Sequence, residues 1–392
     1  MSSPEVLVVG GGLIGLSIAR GLARRGTSVA MVSDEQPHAA SGVAAGMLAP
    51  VTEADPTEGR LQQLNVASLQ LWDEFATQLE HDAGLPVGLR RTATLSVGFN
   101  ADDARRLADF GDFLASAGMA AEFRTSRECR SAVPLLAPQV RSGLWVPGDW
   151  SVDNRLLWAA LRADAVRAGV ELITGRVSEL IITDDTCHGV RLADGSAHRA
   201  PTTVLAAGAW SGQLPLPFEL PVRPIKGQVL RLKSHGLPIP DCTVRAFSQG
   251  FEVYVVPRTS GEVVVGATTE DRGFEDFPTA GGTYELLRDA RSILPIITEY
   301  ELAEISVGYR PCPPDNAPLL GPTPVEGLIV ATGHHRNGVL LTPITAHMIT
   351  ELIVTGALPA AARPFNPWVS AHPAAPTLGT GTDHDSERLE PR

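Results

Sequence analysis

The chain has 392 residues, 44% of them hydrophobic, which is enough for two ordinary domains with cores of their own. Its formal net charge of -12 and the lack of any dense Lys/Arg run argue against a nucleic-acid or anionic-membrane partner. Cys129, Cys187, Cys242 and Cys312 are scattered without a CxxC pair, which offers neither a disulfide framework nor a zinc site, and no metal is expected.

The N-terminal "MSSPEVLVVG" carries no basic leader and no apolar run reaches the length of a membrane span, so a cytoplasmic protein with no membrane partner is expected. From Val6 to Gly26 the sequence "VLVVGGGLIGLSIARGLARRG" predicts a strand over 5–9, a tight turn and a helix over 13–25. A second strand over 28–32 then makes the start of a βαβ unit. A Gly/Ala loop follows, and "RLQQLNVASLQLWDEFATQLEHDAG" has the period of a long helix that stops at Gly84. "RTATLSVGF" reads as a strand and "DDARRLADFGDFLASAG" as a helix, while "SVDNRLLWAALRADAVRAGVEL" is a helix with Asp153 near its start that returns to a parallel sheet. Short strands around the turn "LADGSAH" precede "TTVLAAGAWS", a buried strand ending in a glycine turn. Residues 221–300 are rich in β-formers and predict an antiparallel sheet. The chain closes with "GLIVATG", a glycine loop and a helix from Pro343, for which Thr342 is the expected N-cap. The Pro/Gly/Thr/Asp-rich end after Pro367 reads as a disordered tail.

Sheet segments of one type thus recur at the start, middle and end of the chain. The expected fold class is α/β, with a nucleotide-binding domain over 1–84, 148–217 and 306–367 and a second, antiparallel-sheet domain over 85–147 and 218–305. Both are discontinuous.

Gly10, Gly12 and Gly15 fit G-x-G-x-x-G directly after a strand and at the opening of a helix. Gly10 permits the turn, Gly12 lets a pyrophosphate approach the backbone, and Gly15 lets the helix lie close to the strand. The N–H groups around Leu13 and Ile14 face the anion. The ribose carboxylate is expected about 20 residues further on; strict spacing lands on Ser33, and the neighbouring Asp34 is the carboxylate chosen. This pattern alone leaves NAD and FAD open.

The loop "HAASGVAAGMLAPVTEADP" is more specific. It resembles the flavin-contacting loop of the D-amino-acid-oxidase superfamily, most closely the glycine oxidases of the thiamine pathway. The resemblance continues in order through "WSVDNRLLWAAL", "VLAAGAWSG", "PVRPIKGQVLRL", "YVVPR", "EVVVGATTEDRGFE", "GYRPCPPDNAPLLG" and "GHHRNGVLLTPITA". It implies non-covalent FAD, a Rossmann-like flavin domain of the glutathione-reductase type, and a substrate domain whose sheet roofs the flavin ring. Ser41, Gly42, Ala45, Gly46 and Met47 are then flavin or phosphate contacts, Val177 meets the adenine, and Ala207, Gly208 and Trp210 lie beside the nucleotide. Gly333, His334, Arg336, Asn337, Gly338, Val339 and Leu340 form a loop entering a helix N-terminus, whose N–H donors suit negative charge on a reduced flavin. Adjacent His334 and His335 have no further ligand cluster and are not read as a metal pair.

The resemblance also supplies a substrate site. Arg310 matches the arginine that binds the substrate carboxylate as a planar fork, Tyr254 matches a tyrosine bordering the substrate, and Arg336 an arginine at the mouth. The implied reaction is oxidation of glycine, sarcosine or a small D-amino acid to an imine. Water then yields the oxo acid and ammonia, and oxygen is reduced to hydrogen peroxide. The implied partners are the amino acid and oxygen, within a homotetramer. Glu252, two positions before the tyrosine, departs in character from some members of the family, and with Thr269 nearby the pocket is expected to differ in size, which leaves glycine, sarcosine and small D-amino acids as open alternatives. Cys312 stands at the wrong offset for a covalent flavin link. A sarcosine or D-amino-acid oxidase, a quinone-linked dehydrogenase and a non-catalytic flavin module are the competing readings.

Overall fold

A computed structural model describes residues 3–34, 36–246 and 253–368. The glycine-turn segment forms the strand Val6–Val9 and the helix Leu13–Arg24. The strand is buried on both faces, so its continuous apolar run is the signature of a parallel sheet covered on both sides. That sheet has six strands in the order Leu319–Pro322, Leu328–Thr332, Thr202–Leu205, Val6–Val9, Val29–Ser33 and Glu171–Thr174. All pairs are parallel except the one between Leu319–Pro322 and Leu328–Thr332.

An eight-stranded sheet runs in the order Glu301–Cys312, Arg223–Lys233, Glu262–Gly266, Tyr254–Pro257, Thr243–Ala246, Thr94–Gly98, Ser142–Val146 and Glu122–Thr125. Its pairs are antiparallel except that between Thr243–Ala246 and Thr94–Gly98. A hairpin sheet over 177–199 covers one side of the parallel sheet, with the turn "LADGSAH" joining two of its strands.

Local signals explain the element ends. Gly84 terminates the helix Gly59–Ala83 at φ 65°, and Asp153 caps the helix Asn154–Arg167 by accepting from Arg155 N and Leu156 N. Between them a charge cluster joins three helices: Arg20 and Arg24 both pair with Asp164, and both reach Asp82. Asp164 is fully buried, so this cluster fixes the tilt of the first helix under the glycine turn.

Four expectations need correction. The strand Glu301–Cys312 is continuous and pairs with Arg223–Lys233 along its whole length, so the expected boundary at 305/306 cuts through one strand. Within the stretch read as all-β lies the helix Ala280–Ile293, whose Leu286, Ala290 and Ile293 recur at helical spacing and whose N-cap Thr279 accepts from Gly282 N. Thr342 is already the first residue of the helix Thr342–Thr355; Leu341 is the N-cap, and the Thr342 hydroxyl donates back to Gly338 O at 2.9 Å. Trp368, placed in the expected tail, packs edge-on against Phe218 with ring centroids 5.1 Å apart. The rest of that tail, and Glu252, lie outside the described residues.

Candidate active site

One cavity of about 1100 Å³ opens where the carboxyl ends of the parallel strands face the eight-stranded sheet. This is the place where open α/β sheets take ligands, and its volume suits a large cofactor with a small co-substrate. Of the residues expected at the cofactor, Gly15 and Gly333 do not line the cavity; all the others do. Gly15 acts behind the wall, as its role in the turn requires: a Cβ there would sit 2.0 Å from Gly10 O. Gly333 turns the chain at φ 74° against Leu319 and Pro313 instead.

The glycine turn is held open from three sides. Gly10 has φ 112°, and a Cβ on it would meet Ala206 O at 2.4 Å. Trp158 Nε1 donates to Gly11 O at 2.9 Å, a support that sequence reading missed because nothing local marks it. Ser41 Oγ accepts from Leu13 N at 3.0 Å, so it sits at the helix N-terminus where a phosphate would lie. Ser33 and Asp34 both line the cavity, and the Ser33 hydroxyl is the nearest side-chain neighbour of Gly11. Asp34 lies just past the end of the strand Val29–Ser33 and brings a carboxylate to this end of the cavity.

The apolar loop 39–47 has almost no side chains with which to hold itself. Its carbonyls are instead held by Arg258, which follows a strand of the other sheet, and by the first two residues of the helix Asn154–Arg167. Arg258 is 1% exposed and donates to Ala45 O and to Val152 O, the latter at 2.6 Å. Asn154 Nδ2 donates to Ser41 O at 2.7 Å, and Arg155 Nε to Gly42 O at 3.0 Å. Arg231, also 1% exposed, pairs with Glu262 at 2.6 Å and approaches Asn154. Burial pulls the Arg258 guanidinium down to about 10, against the attraction of Asp153, so it still carries its charge at neutral pH. Gly46, at φ 73° and with Val152 O 2.0 Å from where a Cβ would be, closes the loop.

At the far end, Ser68 Oγ and Trp72 Nε1 donate to Leu340 O at 2.6 and 2.8 Å. They fix the loop that enters the helix Thr342–Thr355, leaving Gly338, Val339 and Leu340 on the cavity wall. His334 is 3% exposed with Nε2 at 3.0 Å from Thr345 Oγ1, and burial holds its imidazole down to about 3. It is a neutral packing group.

The opposite wall carries the charged side chains. Arg310 projects over Gly227, the neighbouring-strand residue whose missing Cβ makes room for the guanidinium, and its Nη1 donates to Thr268 O at 3.0 Å. Thr268 is fixed in turn: its hydroxyl donates to Glu270 at 2.6 Å and accepts from Gln228 N at 2.8 Å, while Gln228 Nε2 and the fully buried Lys226 also bind Glu270. Tyr254 stands beside Arg310, and burial raises its phenol above the ordinary value against the guanidinium's pull, so the hydroxyl stays protonated. Arg336 lies at the mouth, 36% exposed. Thr269 also lines the cavity, as do Glu53, Arg245 and His335, which sequence reading did not place at the substrate site. Cys312 is buried, donates to Pro313 O, and is not among the cavity-lining residues. No cluster of His, Cys, Asp and Glu able to hold a metal occurs among the described residues.

A glycine turn, a flavin-sized cleft and an arginine–tyrosine pair facing it define a dinucleotide-dependent oxidoreductase. The chain belongs to the DAO family of FAD-dependent oxidoreductases, whose model matches residues 5–352. It is 36% identical over 352 residues to the bifunctional protein ThiO/ThiG of Nostoc, covering 89% of this chain and 52% of that one. The chain thus spans about half the length of such relatives. It is 31% identical to the glycine oxidase of Geobacillus kaustophilus, with 89% of this chain and 92% of the relative covered. The crystal structure of glycine oxidase from Geobacillus kaustophilus superimposes with a TM-score of 0.86 at 29% identity, covering 93% and 98% of the two chains. That of iminodiacetate oxidase from Chelativorans gives 0.83 at 26%, covering 92% and 98%.

The residues present fit FAD. The glycine turn leaves the backbone bare where a pyrophosphate would lie, and the loop 39–47 and the helix entry at 338–340 bring small and apolar residues to the cavity between the two sheets.

Proposed function

We propose that this chain oxidises glycine, with sarcosine and small D-amino acids as lesser substrates, to the imine and then to glyoxylate and ammonia, supplying the thiazole branch of thiamine synthesis. A cytoplasmic enzyme assembled as a homotetramer belongs to the same reading. For the described residues, no helix is long and apolar enough to cross a membrane. The observation that carries the proposal is the pairing of Arg310 and Tyr254 on the sheet face opposite Met47 and the helix-entry loop.

Arg310 holds the amino-acid carboxylate: Thr268 O takes one of its nitrogens at 3.0 Å and the Tyr254 hydroxyl bonds to the guanidinium, so the two side chains together offer donors to the substrate. The protonated Tyr254 hydroxyl donates to the same carboxylate or accepts from the amine. With the carboxylate anchored there, the α-carbon is turned towards the loop 44–47 face of the cavity, and alignment supplies most of the rate. FAD held there would supply the two-electron acceptor for the α-C–H hydride, the amine nitrogen losing a proton as the imine forms, and oxygen would take up the electrons as hydrogen peroxide. Arg336, at the mouth, closes the site against water.

The test is the absorption spectrum of the purified holoenzyme, followed without air as glycine is added and then after air is admitted. Bleaching, recovery and peroxide formation support the proposal, and sarcosine and D-alanine rank the substrates. A flavin band that glycine leaves untouched removes the substrate. Bleaching without peroxide in air would make the protein a dehydrogenase.

A further inference from the structure

The cavity wall near Tyr254 holds two guanidinium groups besides Arg310, those of Arg245 and Arg336, and a carboxylate of the chain itself already lies between them. Glu53 Oε1 is 3.3 Å from Arg245 Nη1, and its Oε2 is 3.5 Å from Arg336 Nε. All three residues line the cavity. The Glu53 side chain is 14% exposed, against 23% for Arg245 and 36% for Arg336, so the carboxylate lies deeper than either partner.

Its position is rigid. The preceding residues are held by the fully buried Asp149, which accepts from Val51 N at 3.0 Å, Thr52 N at 3.0 Å and the Thr52 hydroxyl. Both arginines also reach the backbone of this segment, Arg245 at Thr52 O and Arg336 at Glu53 O. Across the sheet, Arg245 is in register with Tyr254. The pair is therefore beside the substrate position.

We propose that Glu53 determines how many carboxylates a substrate can carry: it occupies the Arg245–Arg336 pair, so that Arg310 alone is left for a substrate carboxylate. An amine with one carboxylate fits, and its ammonium or amine meets a negative neighbour. An amine with two carboxylates would have to displace Glu53 or lie against it, and like charges at that distance repel. With Glu53 gone, Arg336 keeps Glu58 at 3.4 Å while Arg245 keeps only the Thr52 carbonyl, so Arg245 is the guanidinium that takes a second carboxylate in its place. Glu53 is a positioning and specificity residue, acting through the arginines. The inference rests on the proposed amino-acid oxidase reading for its turnover arm, but not for its binding arm.

The experiment compares wild-type holoenzyme with Glu53→Ser, which removes both the charge and the volume, and with Glu53→Gln, which removes the charge alone. Calorimetric titration with malonate and with acetate reads binding without turnover, and kcat/KM for iminodiacetate and glycine reads specificity. The malonate-to-acetate affinity ratio and the iminodiacetate-to-glycine ratio should each rise on the order of tenfold in Glu53→Ser and less in Glu53→Gln. Adding Arg245→Met to Glu53→Ser should cancel the rise. Unchanged ratios in a variant that keeps its FAD and thermal midpoint overturn the proposal, as does a rise that survives in the double variant. If the wild type oxidises no amino acid, the proposed function fails while the malonate and acetate titrations still decide the role of Glu53.

Discussion

The two walls of the cavity are built from different materials. The wall made by the parallel sheet presents mostly backbone and small residues: the glycine turn, the apolar loop 39–47 and the helix-entry loop, with Asp34 just past the second strand. The wall made by the eight-stranded sheet presents Arg245, Tyr254 and Arg310, joined at the rim by Glu53 and Arg336. A backbone site needs the absence of side chains at fixed spacing, so it is written in consecutive residues. A side-chain site needs groups that strand pairing brings together from far apart, so a single change there alters selectivity and leaves the fold standing.

The contrast can be broken most completely on the backbone side. Gly15→Val puts atoms into the 2.0 Å approach to Gly10 O, and the purified protein should carry flavin only at background level by its absorption ratio. On the side-chain wall, Arg310→Met should keep FAD but lower kcat/KM for glycine on the order of 10³-fold, seen in anaerobic flavin bleaching. Normal turnover in that variant would remove the carboxylate role.

Arg258→Met tests the seam between the walls. It strips donors from Ala45 O and Val152 O, so urea unfolding of the holoenzyme should show a loss of about 3 kcal/mol. Flavin should be released at lower urea than the fold is lost. A simultaneous loss would mean that Arg258 supports the whole molecule and not the loop.

The smallest effect expected is on pH dependence. Burial, aided by Arg310, Arg336 and Arg223, holds His335 down to about 4, below its ordinary 6.5. Between those values the unfolded chain binds a proton that the folded chain does not, so stability is complete above about pH 6.5 and falls as pH drops towards 4. His335→Gln should remove on the order of 1–2 kcal/mol of the loss between pH 7.5 and pH 5, measured by urea midpoints. An unaltered acid slope would show that the imidazole charges freely in the fold.

Much of this protein is legible in its residues because the governing interactions are local. The strand, turn and helix over 6–24, the αL stop at Gly84 and the Asp153 cap each follow from hydrogen bonds and torsions within a few residues. The helix Ala280–Ile293 was hidden by the glycines at its start, although Thr279 and the spacing of Leu286, Ala290 and Ile293 mark it. The short helix Ser126–Ala132 carried a capping box, Thr125 with Glu128, that also went unread.

Residue order alone determined the nucleotide-binding end, since glycine spacing states directly where backbone can approach a ligand. Only the tertiary structure decided the substrate end. Glu53 meets Arg245 across 192 positions of sequence, and Arg310 is aimed by Thr268 across 42. Pairings of that kind leave no periodicity in the chain, because they exist only once strand register has brought distant side chains to one face of a sheet.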